Sequence, residues 1–300
     1  MIDAIKNRVA DSATDLFSHG PQPLEHTLDH PGDPGLLGPD SVSWSVIGDA
    51  CAFVAGIRAL LVQTAHPEVV AGVEDHSRYR TDPLGRLTRT SAYVTATTYG
   101  AMPEVAAAVK AVTHAHHGVR GRSERGRPYS AATPELTAWV HNVLTESFLT
   151  AYEEFGARPL SAAEADQFVK EQTAIGALLG ASPLPSDAES LRAWVRDHAA
   201  LEPSKAQEQS IRFLENPPLP AHVEVGYRLL LRAAAATLST DTAALIGVDR
   251  SPLDRCIGGA AVRSLRWSLG SSPAWHLALV RSGAPVPPGM FRQPLRGSTS

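Results

Sequence analysis

The sequence predicts an all-α fold, in which one domain is built from many helices. Stretches rich in Ala and Leu, with apolar residues three and four positions apart, recur along the chain and are typical of helices that bury one face. The strict alternation of apolar and polar residues that marks β-strands is almost absent. The 300 residues, 43% of them hydrophobic, are enough to bury a sizeable core. We therefore expect a single multi-helix domain.

The helical pattern divides the chain into three parts. Residues 20–40 are crowded with Gly, Pro and Asp, which predicts a loop after a short N-terminal helix. A similar composition from about residue 283 onwards predicts an extended arm or a tail. We expect these end segments over residues 1–43 and 283–300, and a helical domain over 44–282. Within that domain the pattern predicts helices at residues 46–65, 84–99, 103–117, 134–155, 161–179, 186–199, 221–237, 240–246 and 254–282.

Capping signals support several of these boundaries. Ser161 followed by Glu164 forms a capping box, in which each side chain accepts a hydrogen bond from the backbone N–H of the other residue. Pro134, which has no N–H to satisfy, suits the first turn of a helix after Thr133. Gly118, directly after a histidine cluster, indicates that a helix ends there.

The charge and the first residues exclude several classes of protein. The formal net charge is −4 and no basic footprint is present, so nucleic acid is not an expected partner. The N-terminus carries charged residues where a secretion signal needs an unbroken apolar stretch, and we therefore interpret the chain as cytoplasmic. An oligomer is compatible with the sequence, but no feature supports one.

Two further features bear on membranes and on metals. The longest apolar segment, residues 46–65, contains Asp49 and Arg58 and predicts a buried core helix rather than a transmembrane helix. The two cysteines, Cys51 and Cys256, form no CxxC or CxxCH pattern. This spacing fits a reducing compartment and excludes the usual covalent haem attachment and the usual zinc clusters.

The stretch AVTHAHHGVRG carries three histidines, which a helix turns in three different directions. Each residue of a helix is rotated by about 100° from the previous one, so His116 lies within about 20° of Val105 on the apolar side. His117 lies at about 120° and His114 at about 180° from that direction. A buried imidazole needs a partner, which for His116 is either a core carbonyl or a cofactor. The pattern alone favours the carbonyl.

The segment DPLGRLTRTSAYVTATTYG places two guanidinium groups, two hydroxyls and a phenol on one side of a helix. They belong to Arg86, Arg89, Thr90, Tyr93 and Thr97, whose spacing repeats at three and four residues. A solvated helix face is one interpretation of this pattern. The phenol of Tyr93 favours the other, in which this side lines a pocket for an anionic group.

Three more residues are candidates by their position. His141 lies about 60° from the centre of the apolar side of residues 139–155, where a hydrogen-bonded wall residue is commoner than a ligand, so it is a reserve candidate. His66, before Pro67, is predicted to end a helix, where its cationic form complements the helix dipole. Glu74 lies in an acidic turn or short helix after Gly72 that offers either a general base or an ordinary solvated feature.

Six motifs in order resemble one known family. They read RALLVQTAHP, AGVEDHSRYR, DPLGRLTRT, HHGVRG, GRPYSA and WVHNVLTESF. The series resembles the bacterial branch of the MpaB-type oxygenases and the rubber oxygenases, or latex-clearing proteins. The resemblance is dense from about residue 44 to residue 160 and looser through residues 161–282.

The resemblance implies a globin-like helical core around a buried pocket that holds a non-covalent haem b. The family's iron-ligating histidine opens an H-x-x-V-x-G pattern, which falls on His116 in this sequence. The family's RLxRT motif falls on Arg86, Arg89 and Thr90, which would bind haem propionates or polarise iron-bound oxygen as the catalytic polar groups. The remaining candidates for the lining of the haem pocket are Tyr93 and His141.

The sequence therefore leads to one main hypothesis and two alternatives. The main hypothesis is a haem-b-dependent oxygenase that acts with dioxygen on an unidentified apolar or unsaturated small molecule. Rubber-cleaving relatives are secreted and often have lysine at the position of Arg89, so polyisoprene is not the expected substrate. The first alternative is a non-catalytic helical carrier that binds haem or lipid. The second is a helical protein in which His116 only satisfies a core carbonyl.

Overall fold

The computed structural model describes residues 23–286 and Met290, and the all-α fold is confirmed for this part of the chain. The short N-terminal helix and most of the C-terminal arm, which the sequence predicts, lie outside the described residues. The described helices are α1 (Val42–Ile47), α2 (Ala52–Gln63), α3 (Pro67–His76), α4 (Pro83–Tyr99), α5 (Met102–His117), α6 (Pro134–Phe155), α7 (Ala162–Leu178), α8 (Ala188–Arg196), α9 (Lys205–Glu215), α10 (Ala221–Ala236), α11 (Thr240–Ile246), α12 (Pro252–Leu269) and α13 (Pro273–Ser282).

The helices pack around α2 and α6, which lie side by side at the centre of the molecule. Helix α6 buries residues around its whole circumference, as a helix surrounded by other helices must. Trp139 and Leu149 of α6 and Leu61 of α2 are fully buried. One hydrophobic core runs from Val46 to Val262 and joins most of the helices. The limits predicted for the helical domain remain a prediction.

A small β-hairpin interrupts the helical order between α5 and α6. Strand β1 (Arg120–Arg122) pairs antiparallel with β2 (Pro128–Ser130). The sequence did not predict it, because three-residue strands are too short to show an alternating pattern. The hydroxyl of Tyr129 donates a hydrogen bond to the Asp75 carboxylate, and its ring lies 3.3 Å from the position that a Cβ of Gly72 would take. The hairpin is thereby attached to α3.

The predicted segment 46–65 is two helices rather than one. The chain turns between Gly48 and Cys51, where the Asp49 carboxylate accepts a hydrogen bond from the Cys51 N–H at 2.8 Å. A side chain at position 48 would lie 2.7 Å from the Tyr99 hydroxyl and 2.9 Å from the Trp275 ring, so only glycine fits there. The apolar run continues through this turn, so the pattern alone does not reveal it.

Three other helical segments differ from the prediction. Segment 254–282 divides at Gly270, whose φ of 70° ends α12. Helix α3 was predicted only as a turn or a short helix, because Pro67 was interpreted as the end of the preceding helix, whereas it stands in the first turn of α3. Helix α9 is largely polar and was missed, although Ser204 and Gln207 form a capping box at its start.

The capping signals that the sequence showed are confirmed. Ser161 and Glu164 form the capping box that starts α7, and Pro134 stands in the first turn of α6. Helix α5 ends at His117, directly before Gly118, as predicted. No helix among residues 23–286 is long and apolar enough to cross a membrane.

Candidate functional site

Helices α4 and α5 form a hairpin that carries most of the predicted site residues. Helix α4 begins where the Asp82 carboxylate accepts a hydrogen bond from the Gly85 N–H at 2.9 Å, which satisfies one of the free donors at the helix start. It ends at Gly100. The Ala101 N–H donates to the Glu104 carboxylate at 2.8 Å at the start of α5. This two-residue connection turns the chain so that α5 packs along α4.

The three histidines at the end of α5 differ in burial, in agreement with their directions on the helix. His116 is partly buried, whereas His114 and His117 are exposed. The side of α5 that His116 shares is the buried side of the helix, and its other members are Val105, Ala108, Val109 and Val112. The helical period therefore distinguishes one inward imidazole from two that face solvent.

His116 has the chemical state that a metal ligand requires. Burial lowers the pKa of His116, so the ring is neutral at physiological pH. Burial is the cause of this shift, and no hydrogen bond from a described residue to either ring nitrogen offsets it. A neutral imidazole with a free lone pair can bind a metal ion through one nitrogen while the other donates a hydrogen bond.

The fold buries only part of the polar side predicted for α4. Arg89 is 60% exposed, and its guanidinium lies 3.4 Å from the carboxylate of Asp82 at the helix start. Thr90 is exposed beside it. Tyr93, one turn further along, is partly buried; its hydroxyl is buried and has no hydrogen-bond partner among the described residues. Burial raises the pKa of this phenol, which therefore keeps its proton. The side chain of Arg86 lies outside the described part of the structure.

His116 and Tyr93 lie at different positions along the axis of the hairpin. Tyr93 precedes Gly100 by seven residues, which is about 10 Å along a helix axis. His116 follows Ala101 by fifteen residues, or about 22 Å. The two side chains are therefore separated by about 12 Å along the hairpin. His116 lies level with the first turns of α4, where Arg86 and Arg89 are.

His141 occupies the position of a hydrogen-bonded wall residue. It is 6% exposed on α6, and its Nε2–H donates to the carbonyl of Gln172 on α7 at 2.8 Å. Burial lowers the pKa of His141 to about 4, and the bond to Gln172 offsets only part of that effect. The helices approach closely here, since a Cβ on Gly176 would lie 2.7 Å from the His141 ring. The cofactor role predicted for His141 remains a prediction.

The close approach of α6 and α7 gives a testable expectation. Replacing Gly176 by Ala should lower the free energy of unfolding by about 1–3 kcal/mol, because the new methyl group displaces the His141 ring. Gly226→Ala is a matched control in α10, where a Cβ meets nothing within 4 Å. It should instead stabilise by about 0.5–1 kcal/mol through helix propensity. Urea unfolding of both variants measures the difference, and equal effects would contradict this close packing.

The structure shows an aromatic cluster that the sequence did not predict. His66 is 4% exposed and stands directly before the first turn of α3, whereas it was predicted to end the preceding apolar helix. Its ring centroid lies 5.6 Å from that of Trp139 and 5.4 Å from that of His198, and the Trp194 ring lies 4.7 Å from His198. These residues come from separate segments of the chain, and no spacing in the sequence connects them.

The electrostatic environment of His66 keeps it neutral. Burial, together with the neighbouring His198, lowers the pKa of His66 to about 4, although the carboxylate of Glu68 raises it. The Nδ1 atom lies 3.5 Å from Glu68 but makes no hydrogen bond with a described residue, so above pH 4 this contact is not an ion pair. The Glu68 carboxylate is instead bound by Arg125 and Ser123.

Glu74 is bound by donors from three residues. Its carboxylate accepts hydrogen bonds from Ser210 at 2.7 Å, from Arg80 at 2.7 Å and from the Tyr79 hydroxyl. Burial acts to raise the pKa of Glu74, but these hydrogen bonds outweigh it and lower the pKa. The carboxylate therefore stays ionised and connects α3 to α9. This arrangement supports a structural role rather than that of a general base.

Together, the fold and the site define a helical protein whose hairpin presents one neutral, inward imidazole on α5 and, about 12 Å away along the hairpin, a buried phenol on α4. Within the described residues, no group of three or more His, Cys, Asp or Glu side chains is arranged to hold a metal ion. Residues 44–267 match the family described as ER-bound oxygenase mpaB/B′/rubber oxygenase, catalytic domain. The chain belongs to this family, which confirms the resemblance seen in the sequence and supports an oxygenase-type activity with dioxygen and a small substrate. Searches among curated proteins and among solved structures gave no significant match.

Proposed function

We propose that the protein is a haem-b-dependent oxygenase in which His116 is the proximal iron ligand. The observation that carries this proposal is the orientation of the histidine cluster, in which His116 alone of the three faces the buried side of α5. Arg86, Arg89 and Thr90 are proposed as the catalytic polar groups. The substrate is proposed to be a small apolar or unsaturated molecule.

The chemistry of His116 fits a haem. An iron held in a porphyrin needs a single imidazole from the protein, because the macrocycle supplies four nitrogen ligands. The haem, when bound, supplies the dioxygen chemistry, while the protein controls access and polarity. The lowered pKa of His116 means that no proton has to leave the ring before it binds iron at neutral pH.

The opposite helix of the hairpin offers polar groups that suit the rest of a haem. The Tyr93 hydroxyl has no partner among the described residues and can donate a hydrogen bond to an anionic group or to an oxygen atom. Arg89 is exposed, and the ion pair that it forms with a described residue is a loose contact of 3.4 Å to Asp82, so it can exchange this partner for a carboxylate at little cost. The separation of about 12 Å between Tyr93 and His116 suits a large planar group better than a single ion.

The alternative is a carrier that binds the haem or a lipid without turnover. It would use the same hairpin and the same imidazole, so the fold does not separate the two functions. Oxygen uptake does: an oxygenase consumes dioxygen when an unsaturated apolar compound such as squalene is added to the reduced haem protein. A carrier consumes none, and its six-coordinate iron is closed to carbon monoxide.

Haem binding is the direct test of this proposal. The purified protein, titrated with haemin, is expected to show a Soret band at one equivalent, and His116→Ala should remove that band or shift it strongly. His114→Ala is the matched control, since His114 is exposed two residues away and should leave the band unchanged. Circular dichroism verifies that both variants remain helical. A wild-type protein without a Soret band, or an unchanged band in His116→Ala, would sink the assignment.

A further inference from the structure

A cleft lies at the other end of the helical hairpin from His116. It has a volume of about 500 Å³ and opens between α1, the end of α6, α12 and α13. Tyr99 lies beside it, at the connection between α4 and α5, whereas His116 is about 22 Å further along α5. The cleft is therefore separate from the proposed haem site. The residues that define its character are Asp49, Arg158, Arg263, Arg266, Trp267 and Trp275.

The wall of this cleft carries three arginines, of which two hold carboxylates. Arg266 binds the Asp49 carboxylate with two hydrogen bonds of 2.8 and 2.7 Å, so this pair is internally neutral. Arg158 pairs with Glu164 at 2.6 Å. Arg263 is exposed and forms no ion pair with any residue that the structure describes. A guanidinium in this position can bind a carboxylate through two parallel hydrogen bonds.

The same wall carries flat apolar surfaces. The rings of Trp267 and Trp275 line the cleft, and Trp267 is 39% exposed. Gly48 lets the indole of Trp275 approach the backbone of the turn after α1, since a Cβ there would lie 2.9 Å from the ring. Indole rings provide large, rigid surfaces for stacking against another aromatic group. The volume of about 500 Å³ is in the range of small-molecule sites.

We propose that this cleft is a second ligand site, which binds a small aromatic carboxylate. The carboxylate pairs with the guanidinium of Arg263, and the aromatic body lies against Trp267 and Trp275. The net positive charge of the wall disfavours a cation. Carboxylates neutralise Arg266 and Arg158, whereas Arg263 forms no ion pair with a described residue. The site does not depend on haem, so it stands or falls independently of the proposed oxygenase function.

Calorimetric titration of the haem-free protein with 1-naphthoate tests this site. One equivalent is expected to bind, and the neutral analogue 1-naphthalenemethanol should bind about tenfold more weakly, because it lacks the charge-assisted hydrogen bonds. Arg263→Gln should weaken naphthoate binding by about the same factor. Trp267→Ala should weaken both compounds. Arg255→Gln is the matched control, since Arg255 is 62% exposed on the same helix and lies outside the cleft.

The titration also shows where naphthoate binds and which group holds it. Retention of naphthoate binding in His116→Ala supports a separate cleft, whereas its loss would place the ligand in the hairpin site. Equal binding of the charged and the neutral compound, or an unchanged affinity in Arg263→Gln, would overturn the role of the arginine. Displacement of naphthoate by equimolar inorganic phosphate would also overturn the proposal, because it would show a simple anion site without an aromatic component.

Discussion

Lowering the pH from 6.5 to about 4 is expected to reduce the free energy of unfolding by about 6 kcal/mol, because the buried imidazoles of His66 and His141 resist protonation in the folded protein. Burial is the largest cause for both. It lowers each pKa from 6.5 to about 4. Each residue contributes about 3 kcal/mol.

The direction of this effect follows from the protons bound by the two states. Well above pH 6.5 both imidazoles are neutral in the folded and in the unfolded chain, so they add no pH dependence. Between pH 6.5 and about 4 the unfolded chain binds more protons, and stability falls as the pH falls. Glu68 adds a pH dependence of stability in a separate, lower pH range. Hydrogen bonds from Arg125 and Ser123 outweigh its burial and lower its pKa to about 2, so its stabilisation is lost between pH 4.5 and 2.

Urea unfolding at several pH values between 7 and 4 measures this effect. In His66→Phe, which keeps an aromatic ring between Trp139 and His198, the loss of stability on acidification should be smaller than that of the wild type by about 3 kcal/mol. His26→Asn is the control, since the His26 side chain is 73% exposed, and its pH profile should match the wild type. A wild-type stability that stays constant between pH 6.5 and 4 would contradict the burial of these rings.

The features that the sequence predicted correctly are those set by a local period or a local cap. The rotation of successive residues on α5 separates His116 from His114 without any knowledge of the rest of the fold. The capping box that begins with Ser161 involves residues three positions apart and appears in the sequence as such. The resemblance to the family also depends on local features, since its motifs are short stretches of sequence that occur in a fixed order.

The features that were missed depend on contacts between distant segments. His66 was expected to end an apolar helix as a cation, but Trp139 and His198 enclose it and it is neutral above pH 4. Arg89 and Tyr93 share one side of α4, yet only the Tyr93 hydroxyl is buried, because the neighbours of α4 cover its second half more fully than its first. No spacing within α4 carries this information, since it depends on the positions of α1 and α13.

Arg58 provides the clearest example of such a distant contact. The sequence shows an arginine in an apolar helix but not its partner, Glu146, which lies 88 positions away on α6. The Arg58 guanidinium donates to the Glu146 carboxylate at 2.9 Å and to the Ser147 hydroxyl at 2.8 Å. The two charged side chains are only 7% and 9% exposed. A buried pair of this kind connects the two central helices of the fold.

Arg58→Met is expected to lower the free energy of unfolding by about 3–5 kcal/mol, because it leaves the carboxylate of Glu146 buried without its counter-ion. Thr150 remains as a donor to that carboxylate at 2.9 Å, but one hydroxyl does not neutralise its charge. The double variant Arg58→Met with Glu146→Leu should recover most of the loss, since two apolar side chains of similar volume replace the pair.

A double-mutant cycle measured by urea unfolding separates the pair from the rest of the core. The coupling energy between Arg58 and Glu146 should exceed that of the exposed pair of Arg228 and Glu224, whose side chains are 60% and 42% exposed. Arg228→Met should cost no more than about 1 kcal/mol. If Arg58→Met cost no more than that control, the pair would be open to solvent. If the double variant were as unstable as Arg58→Met alone, the loss would come from packing of the arginine stem rather than from the unpaired carboxylate.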